Sequence, residues 1–415
     1  MLNNFKEKIH INELVTMVRN NLVFKHGKLI LSEGRDITEL IKQEVAEMFN
    51  AFKVPNYTLE EAQKYVISRM IGMGPIDKLL YEDPEISEIM INGPNKVFIE
   101  KNGQIMLSDI KFESNQEVLN ILDKIVRKSG RKVNFSEPTV DARFGEMRVN
   151  AVIPPAADMP YITIRRFVKK AFTTDELIKT KYMTKEIAEF LKWAVKGRLN
   201  IIVAGATGCG KTTFMRWLCQ HIPENERIIT LEDTSELNLE RSHLIKLETC
   251  EKADAYRLMI NCLRMRPDRI IMGEIRGAEA IQLLEAMGTG HEGSISSVHT
   301  NYGKMAAIQR IIRAAAKAGT VSPEEIKAMI SEILNLIVFL KRFPDGSRKI
   351  IGISQVYSKD GEPAFRDIYK YDIYRRHYFN MPLSNDVLEI MVSNTMTELP
   401  KIPPFMPKEK IKEVV

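Results

Sequence analysis

Residues 200–213 read NIIVAGATGCGKTT. The apolar run Ile201–Ala204 predicts a buried strand. Gly205-Ala206-Thr207-Gly208-Cys209-Gly210-Lys211-Thr212 then matches G-x-x-x-x-G-K-[ST] in full, and Thr213 continues into a helix. Glycines let such a loop wrap a phosphate with successive N–H groups turned inward. The helix N-terminus adds a favourable field for the anion. In this pattern Lys211 supplies a point charge to the β- and γ-phosphates, and Thr212 offers a hydroxyl to Mg²⁺. The rival is a glycine-rich turn that binds nothing, and the strand before and helix after it argue against that. Cys209 stands among the loop N–H groups, where the local field favours thiolate, so a reactive thiol shielded by bound ATP is expected there.

A phosphate loop needs an acidic partner at the end of another strand. Arg269-Ile270-Ile271-Met272-Gly273-Glu274 supplies one, and Glu274 is placed to orient and polarise an attacking water. Glu232-Asp233 follow the apolar run Ile228–Leu231 in the same way, either as Mg²⁺ ligands through water or as a solvated loop. His291 and His299 flank residues 293–298, and two histidines near a strand end could sense a γ-phosphate, although a single histidine is usually structural. Strands alternating with helices imply a mostly parallel sheet covered on both faces. Thr184 caps a helix that Gly197 ends, and Ser322-Pro323-Glu324-Glu325 opens another through a capping box. Residues 336–340 and 349–356 form a hairpin around Pro344-Asp345-Gly346, and the chain after Asn380 reads as irregular.

Towards the N-terminus the texture differs. Ile37, Leu40, Ile41, Val45 and Met48 fall at helical spacing, and Thr58 with Glu61 forms a capping-box pattern, so the first seventy or so residues read as a short helical bundle. Residues 87–92 and 96–101 read as strands, Asn102-Gly103 as a hairpin turn, residues 117–128 as a helix, and residues 148–153 as a strand. Pro154-Pro155 and Pro160 suggest a linker. The expected organisation is a helical segment (1–71), an α/β domain (72–160), a linker (161–183), a phosphate-loop domain (184–380) and a tail (381–415).

At 415 residues the chain is long enough for two or three domains, and 44% hydrophobic with 27% charged residues is a soluble balance. A net charge of +6 is mild at this size. No apolar run is long enough to span a bilayer, and MLNNFKEKIH lacks the apolar core of a signal peptide. A cytoplasmic chain, held at the cytoplasmic face of the plasma membrane through partners, is expected. Cys209, Cys219, Cys250 and Cys262 form no C-x-x-C pair, which excludes a zinc or disulfide framework as the organising device.

GATGCGKTT (205–213), IITLEDTSEL (228–237), RPDRIIMGEIRG (266–277) and TGHEGSISSVHTN (289–301) resemble, in order, the Walker A, Asp-box, Walker B and His-box motifs of the type II/IV secretion ATPases. Residues 72–103, then DARFGEMRVNAVIPP (141–155) and ITIRRF (162–167), resemble the CpaF branch, which serves Tad/Flp-type pilus assembly. The resemblance implies a RecA-like P-loop motor domain preceded by a smaller α/β domain and a helical segment. It implies a homo-hexameric ring that binds ATP and Mg²⁺, hydrolyses ATP and drives a platform protein in the inner membrane. It makes Glu274 the Walker B acid, Glu232 the Asp-box acid and His299 the His-box residue, and it offers Arg143, Arg148, Arg165 and Arg166 to close on the phosphates. Ala206 and Cys209 depart from the usual Gly and Ser, the 141–151 loop is short, and the four-cysteine zinc module of many type II enzymes is missing. A conjugative type IV secretion ATPase is the rival in the same class. A nucleic-acid translocase would need a basic, aromatic-bearing channel, and no dense Lys/Arg cluster with interleaved aromatics lies near the motor motifs.

Overall fold

The computed structural model describes residues 6–30, 37–101, 103–167, 171–250, 252–301, 303–372, 374 and 377–406. The chain divides into two compact units, Met1–Phe167 and Val168–Val415.

The first unit opens with α1 (Ile11–Ile30), α2 (Thr38–Ala51) and α3 (Leu59–Met70). The helical spacing read from the sequence puts Ile41 and Val45 into one core with Leu14, Val18, Leu22, Ala62 and Val66. Helix α3 starts on the expected capping box: the Thr58 hydroxyl accepts from Glu61 N, and Thr58 N donates to Glu61 Oε2 at 2.8 Å. Then come β1 (Ile86–Asn92), β2 (Val97–Lys101), β3 (Gln104–Leu107), α4 (Asn115–Lys128), β4 (Thr139–Phe144), β5 (Met147–Val152) and β6 (Tyr161–Arg166). They form an antiparallel sheet in the order β3-β2-β1-β6-β5-β4. Asn102 of the expected turn lies outside the described residues, and Lys101 pairs with Gln104 across it. The period-2 pattern turns Ile89, Ile91, Val149, Ala151, Ile162 and Ile164 to one core with Val118, Leu122 and Ile125 of α4. Pro154, Pro155 and Pro160 lie in the connection between β5 and β6, inside this sheet. The segment Tyr161–Arg166, expected in a linker, is a central strand between β1 and β5, because proline interrupts a hairpin connection as readily as it marks a domain boundary.

The second unit comprises α5 (Thr174–Lys179), α6 (Lys185–Lys196), β7 (Ile201–Gly205), α7 (Lys211–Cys219), β8 (Ile228–Glu232), β9 (Leu244–Glu248), α8 (Ala255–Cys262), β10 (Arg269–Met272), α9 (Glu279–Gly288), β11 (Ile295–His299), α10 (Lys304–Ala315), α11 (Pro323–Ile333), β12 (Leu336–Arg342), β13 (Arg348–Lys359), β14 (Glu362–Tyr371), β15 (His377–Phe379) and α12 (Asn385–Thr395). The sheet order is β15-β14-β13-β12-β7-β11-β10-β8-β9. From β12 to β9 the neighbours are parallel, and from β12 to β15 they are antiparallel. Alternate residues of β7 face opposite layers: Ile201 and Val203 pack with α6 and α7, Ile202 and Ala204 with α9, α10 and α11. The segment after Asn380, expected to be irregular, carries α12, whose Val387 and Met391 join the α6 layer.

Candidate nucleotide site

Four parallel strands end side by side and carry the site. Strand register pairs Gly205 of β7 with His299 of β11, Met272 of β10 with Ser296 of β11, and Met272 with Leu231 of β8. The loop, the acid after β10, the acid ending β8 and the histidine ending β11 therefore gather at one edge.

The loop geometry depends on its glycines for two different reasons. Gly208 and Gly210 take φ of +73° and +95°, which L side chains avoid. Gly205 is a matter of space: a Cβ there would lie 2.6 Å from both Leu340 O and Cys209 Sγ. Lys211 begins α7, and its ammonium donates to Gly205 O, Ala206 O and His299 Nδ1, each at 3.0 Å. Thr207 Oγ1 lies 3.4 Å from the same ring nitrogen. Thr212 and Thr213 are half-buried on the first turn of α7. Ala206 contributes its backbone carbonyl as one of the Lys211 acceptors.

Lys211 donates to Nδ1, so the His299 proton sits on Nε2 and is given to Glu274 Oε2 at 2.6 Å. Glu274 also pairs with Arg276, which in turn pairs with Asp233. Burial pushes the Glu274 carboxyl up, but the His299 hydrogen bond and the Arg276 charge outweigh it and hold it below the ordinary carboxylate range. Ile275 N donates to Ser297 O at 2.9 Å and Ser297 Oγ to Gly273 O at 2.7 Å, which fixes the turn carrying Glu274 against β11.

Glu232 behaves differently. Its Oε1 accepts from Glu236 N at 3.0 Å and Leu237 N at 2.9 Å, and its side chain lies across Gly273, where a Cβ would come within 3.2 Å of Glu232 Cγ. Arg216 of α7 donates to the carbonyls of Glu236 and Leu237 and so holds that loop in place. Burial raises the Glu232 carboxyl to about 7 despite the two N–H donors. A cavity of about 320 Å³ opens beside these residues, lined by Glu232, Asp233, Tyr256, Glu274, Arg276 and Glu279 among others.

Other expected site residues stand elsewhere. His291 precedes β11, at the opposite end of that strand from His299, and its Nδ1 lies 2.8 Å from Pro267 O. The strand direction separates it from the phosphate loop, so it holds a turn in place. Cys209 is fully buried in the core with Tyr182, Val203 and Phe214. Burial raises its thiol, with Lys211 and the loop N–H groups pulling the other way. The field argument for a reactive thiolate fails because burial of the thiol in the core outweighs the pull of Lys211 and the loop N–H groups.

The four arginines belong to the first unit. Arg143 of β4, Arg148 of β5 and Arg165 of β6 are directly opposite one another across three strands, on the face away from α4. Arg148 binds Asp141 at 2.6 Å, Arg143 donates to Gly145 O at 3.0 Å, and Arg165 is exposed. Arg166 points to the other side, donating to Asp83 O at 2.7 Å, Leu79 O at 2.8 Å and Leu80 O. It pins β6 to the helical turn that precedes β1, and a guanidinium so occupied is a structural clamp, in contrast to its expected place on the phosphates. Two residues without a sequence signal of their own also border the loop: Arg348 Nε donates to Gly208 O at 3.0 Å, and Arg342 lies beside Gly208.

A parallel sheet with a phosphate loop after β7 and an acid after the second strand along, joined to a smaller α/β unit, defines the two-domain RecA-like P-loop class. The chain belongs to the type II/IV secretion system protein family, whose model matches residues 70–352. It is 30% identical over 273 residues to the conjugal transfer protein TrbB of Rhizobium radiobacter, covering 64% of this chain and 83% of that one. It is 29% identical over 323 residues to the type IV secretion system protein VirB11 of Bartonella quintana, covering 67% and 90% respectively. Among solved structures, the pilus retraction motor PilT with bound ADP shares the fold, with a TM-score of 0.51 at 18% identity over 77% of this chain and 86% of that one. Among the described residues, no helix is long and apolar enough to cross a membrane.

Proposed function

We propose that this chain is an ATP-hydrolysing motor that works as a homo-hexameric ring and drives a membrane platform protein in assembling a Tad/Flp-type pilus or a type II/IV secretion system. The convergence of Lys211, His299 and Glu274 on the phosphate loop carries the reading. In it the loop N–H groups from Gly205 to Thr213 cradle the β-phosphate. Lys211 exchanges its carbonyl and imidazole partners for phosphate oxygens. His299, released from the lysine, faces the γ-phosphate. Glu274 is ionised at neutral pH, as a group that orients and polarises water must be. Among the described residues no three His, Cys, Asp or Glu side chains converge on a cation site, so Mg²⁺ would be held by Thr212 with phosphate oxygens and water, and by Glu232 through water. Bound there, Mg²⁺ supplies charge neutralisation to the phosphates. Arg143, Arg148 and Arg165 remain candidates for closing on the nucleotide from the first unit.

Lys211→Ala should abolish ATP binding, measured with a fluorescent ATP analogue. Glu274→Gln should bind ATP and lose turnover by roughly 100-fold or more. Wild-type turnover by Glu274→Gln would remove Glu274 from its role. The names of the TrbB and VirB11 relatives favour a second reading, a conjugative type IV secretion ATPase. The membrane protein that co-purifies with the chain separates the two, and salt-sensitive stimulation of ATPase activity by DNA would instead point to a translocase.

A further inference from the structure

Strand β12 runs parallel to β7 with Leu340 beside Gly205, so Arg342 stands two residues past the point where β7 gives way to the phosphate loop. The chain then turns tightly. Phe343 N donates to Ser347 O at 2.8 Å, Ser347 N donates to Asp345 Oδ1 at 2.9 Å, and Arg348 returns opposite Arg342. Both arginines meet the loop. Arg348 Nε donates to Gly208 O at 3.0 Å, its Cδ would lie 3.3 Å from a Cβ on Gly210, and Arg342 Nη1 would lie 3.6 Å from a Cβ on Gly208. On the other side of β7, strand β11 brings His299 level with Gly205. The loop therefore has a histidine-and-acid flank and an arginine flank.

A water activated by Glu274 attacks the γ-phosphate, so that end of the nucleotide lies on the histidine-and-acid flank. With the β-phosphate in the loop, the α-phosphate extends towards β12. We propose that Arg342 and Arg348 bind the α-phosphate end of the nucleotide, so that the β12–β13 hairpin forms a second cationic wall of the pocket. The inference rests on the nucleotide reading above. A guanidinium suits the task, since its planar fork matches two phosphate oxygens, and two such forks on one hairpin reach the same ester phosphate.

The test is equilibrium binding by the full chain with Mg²⁺, using a fluorescent ADP and, in competition with it, inorganic phosphate, which occupies the loop without an α-phosphate. Arg342→Ala and Arg348→Ala should each weaken ADP by roughly 10- to 100-fold, the loss of a charge-assisted hydrogen bond. The inhibition constant of inorganic phosphate should stay within about twofold, because the loop N–H groups and Lys211 remain. Arg348→Lys should recover part of the ADP affinity, since it keeps the charge without the fork. Unchanged ADP affinity in both alanine variants overturns the proposal. Equal weakening of ADP and phosphate also overturns it, because the arginines would then only shape the loop. A wild-type chain that binds no ADP, or a Lys211→Ala chain that binds it as well as wild type does, fails the nucleotide reading itself.

Discussion

Glu232 is a carboxyl that burial has pushed to about 7 in the folded chain, from an ordinary value near 4.5. Between those values the folded state holds a proton that the unfolded state has released. Stability must therefore fall as pH rises through this window, by on the order of 3 kcal/mol at most. Glu232→Gln removes that term. The difference in stability between wild type and variant should shift in the variant's favour from pH 4.5 to pH 7.5, measured by urea unfolding. A difference that does not change with pH would show that Glu232 is ionised throughout. The cysteines make a second residue-scale prediction. Cys250 is exposed, whereas Cys209, Cys219 and Cys262 are buried, with the thiols of the last two raised to about 12. Alkylation of the native chain, followed by peptide mass spectrometry, should label Cys250 well before Cys209, with or without ATP. Fast labelling of Cys209 would restore the reactive thiolate expected from the loop field. The sequence shows which residue types meet at Lys211, Glu274 and His299, because a motif fixes spacing along a strand and turn. It does not show where the Cys209 or Arg166 side chain points, because direction depends on the neighbouring strand.

At the scale of elements, the buried strands with continuous apolar runs, β7, β8 and β10, are legible from sequence, as are the helices that open on Thr58, Thr184 and Ser322. Strands with mixed polarity are not. In β9 exposed Lys246 and Glu248 break the apolar run at the sheet edge, β14 opens with Glu362-Pro363, and β15 has three residues. One connection between elements carries a sharp prediction. Gly293 precedes β11 with φ of +78°, and a Cβ there would lie 2.1 Å from Nη1 of Arg269 and 2.9 Å from Arg198 Cα. Arg269 is fully buried and bonded to Glu226, Val195 O and Gly293 O. Gly293→Ala strains the backbone and displaces a buried guanidinium from its partners, a loss of roughly 2–5 kcal/mol. Trp193 and Trp217 both lie in the second unit, so tryptophan fluorescence during denaturant unfolding reports this change there. A midpoint equal to wild type would mean that the connection relaxes without disturbing Arg269.

For the whole molecule, each unit has apolar cores of its own, and the ring is the proposal that joins copies. Light scattering with an ATP analogue and Mg²⁺ should report a hexamer, and ATPase activity per subunit should rise with protein concentration as rings form. A fully active monomer would sink the ring reading. Arg165, exposed in the arginine row of the first unit, gives that proposal a direct check. Arg165→Ala should lower turnover while leaving the second unit's fluorescence midpoint unchanged, since the residue lies in the other unit.

The strand that carries the phosphate loop is paired only with strands made much later. Asn200, at its foot, accepts at Oδ1 from Gly293 N, 93 residues on, and donates its backbone N–H to Asn335 Oδ1, 135 residues on. On a ribosome adding roughly 5–20 residues per second, β7 waits for seconds to tens of seconds with neither neighbour present. Its apolar residues Ile201–Ala204 are meanwhile exposed in the nascent chain. A newly made chain therefore cannot grip a nucleotide until β12, which ends at Arg342, has been translated, well past the middle of its second unit.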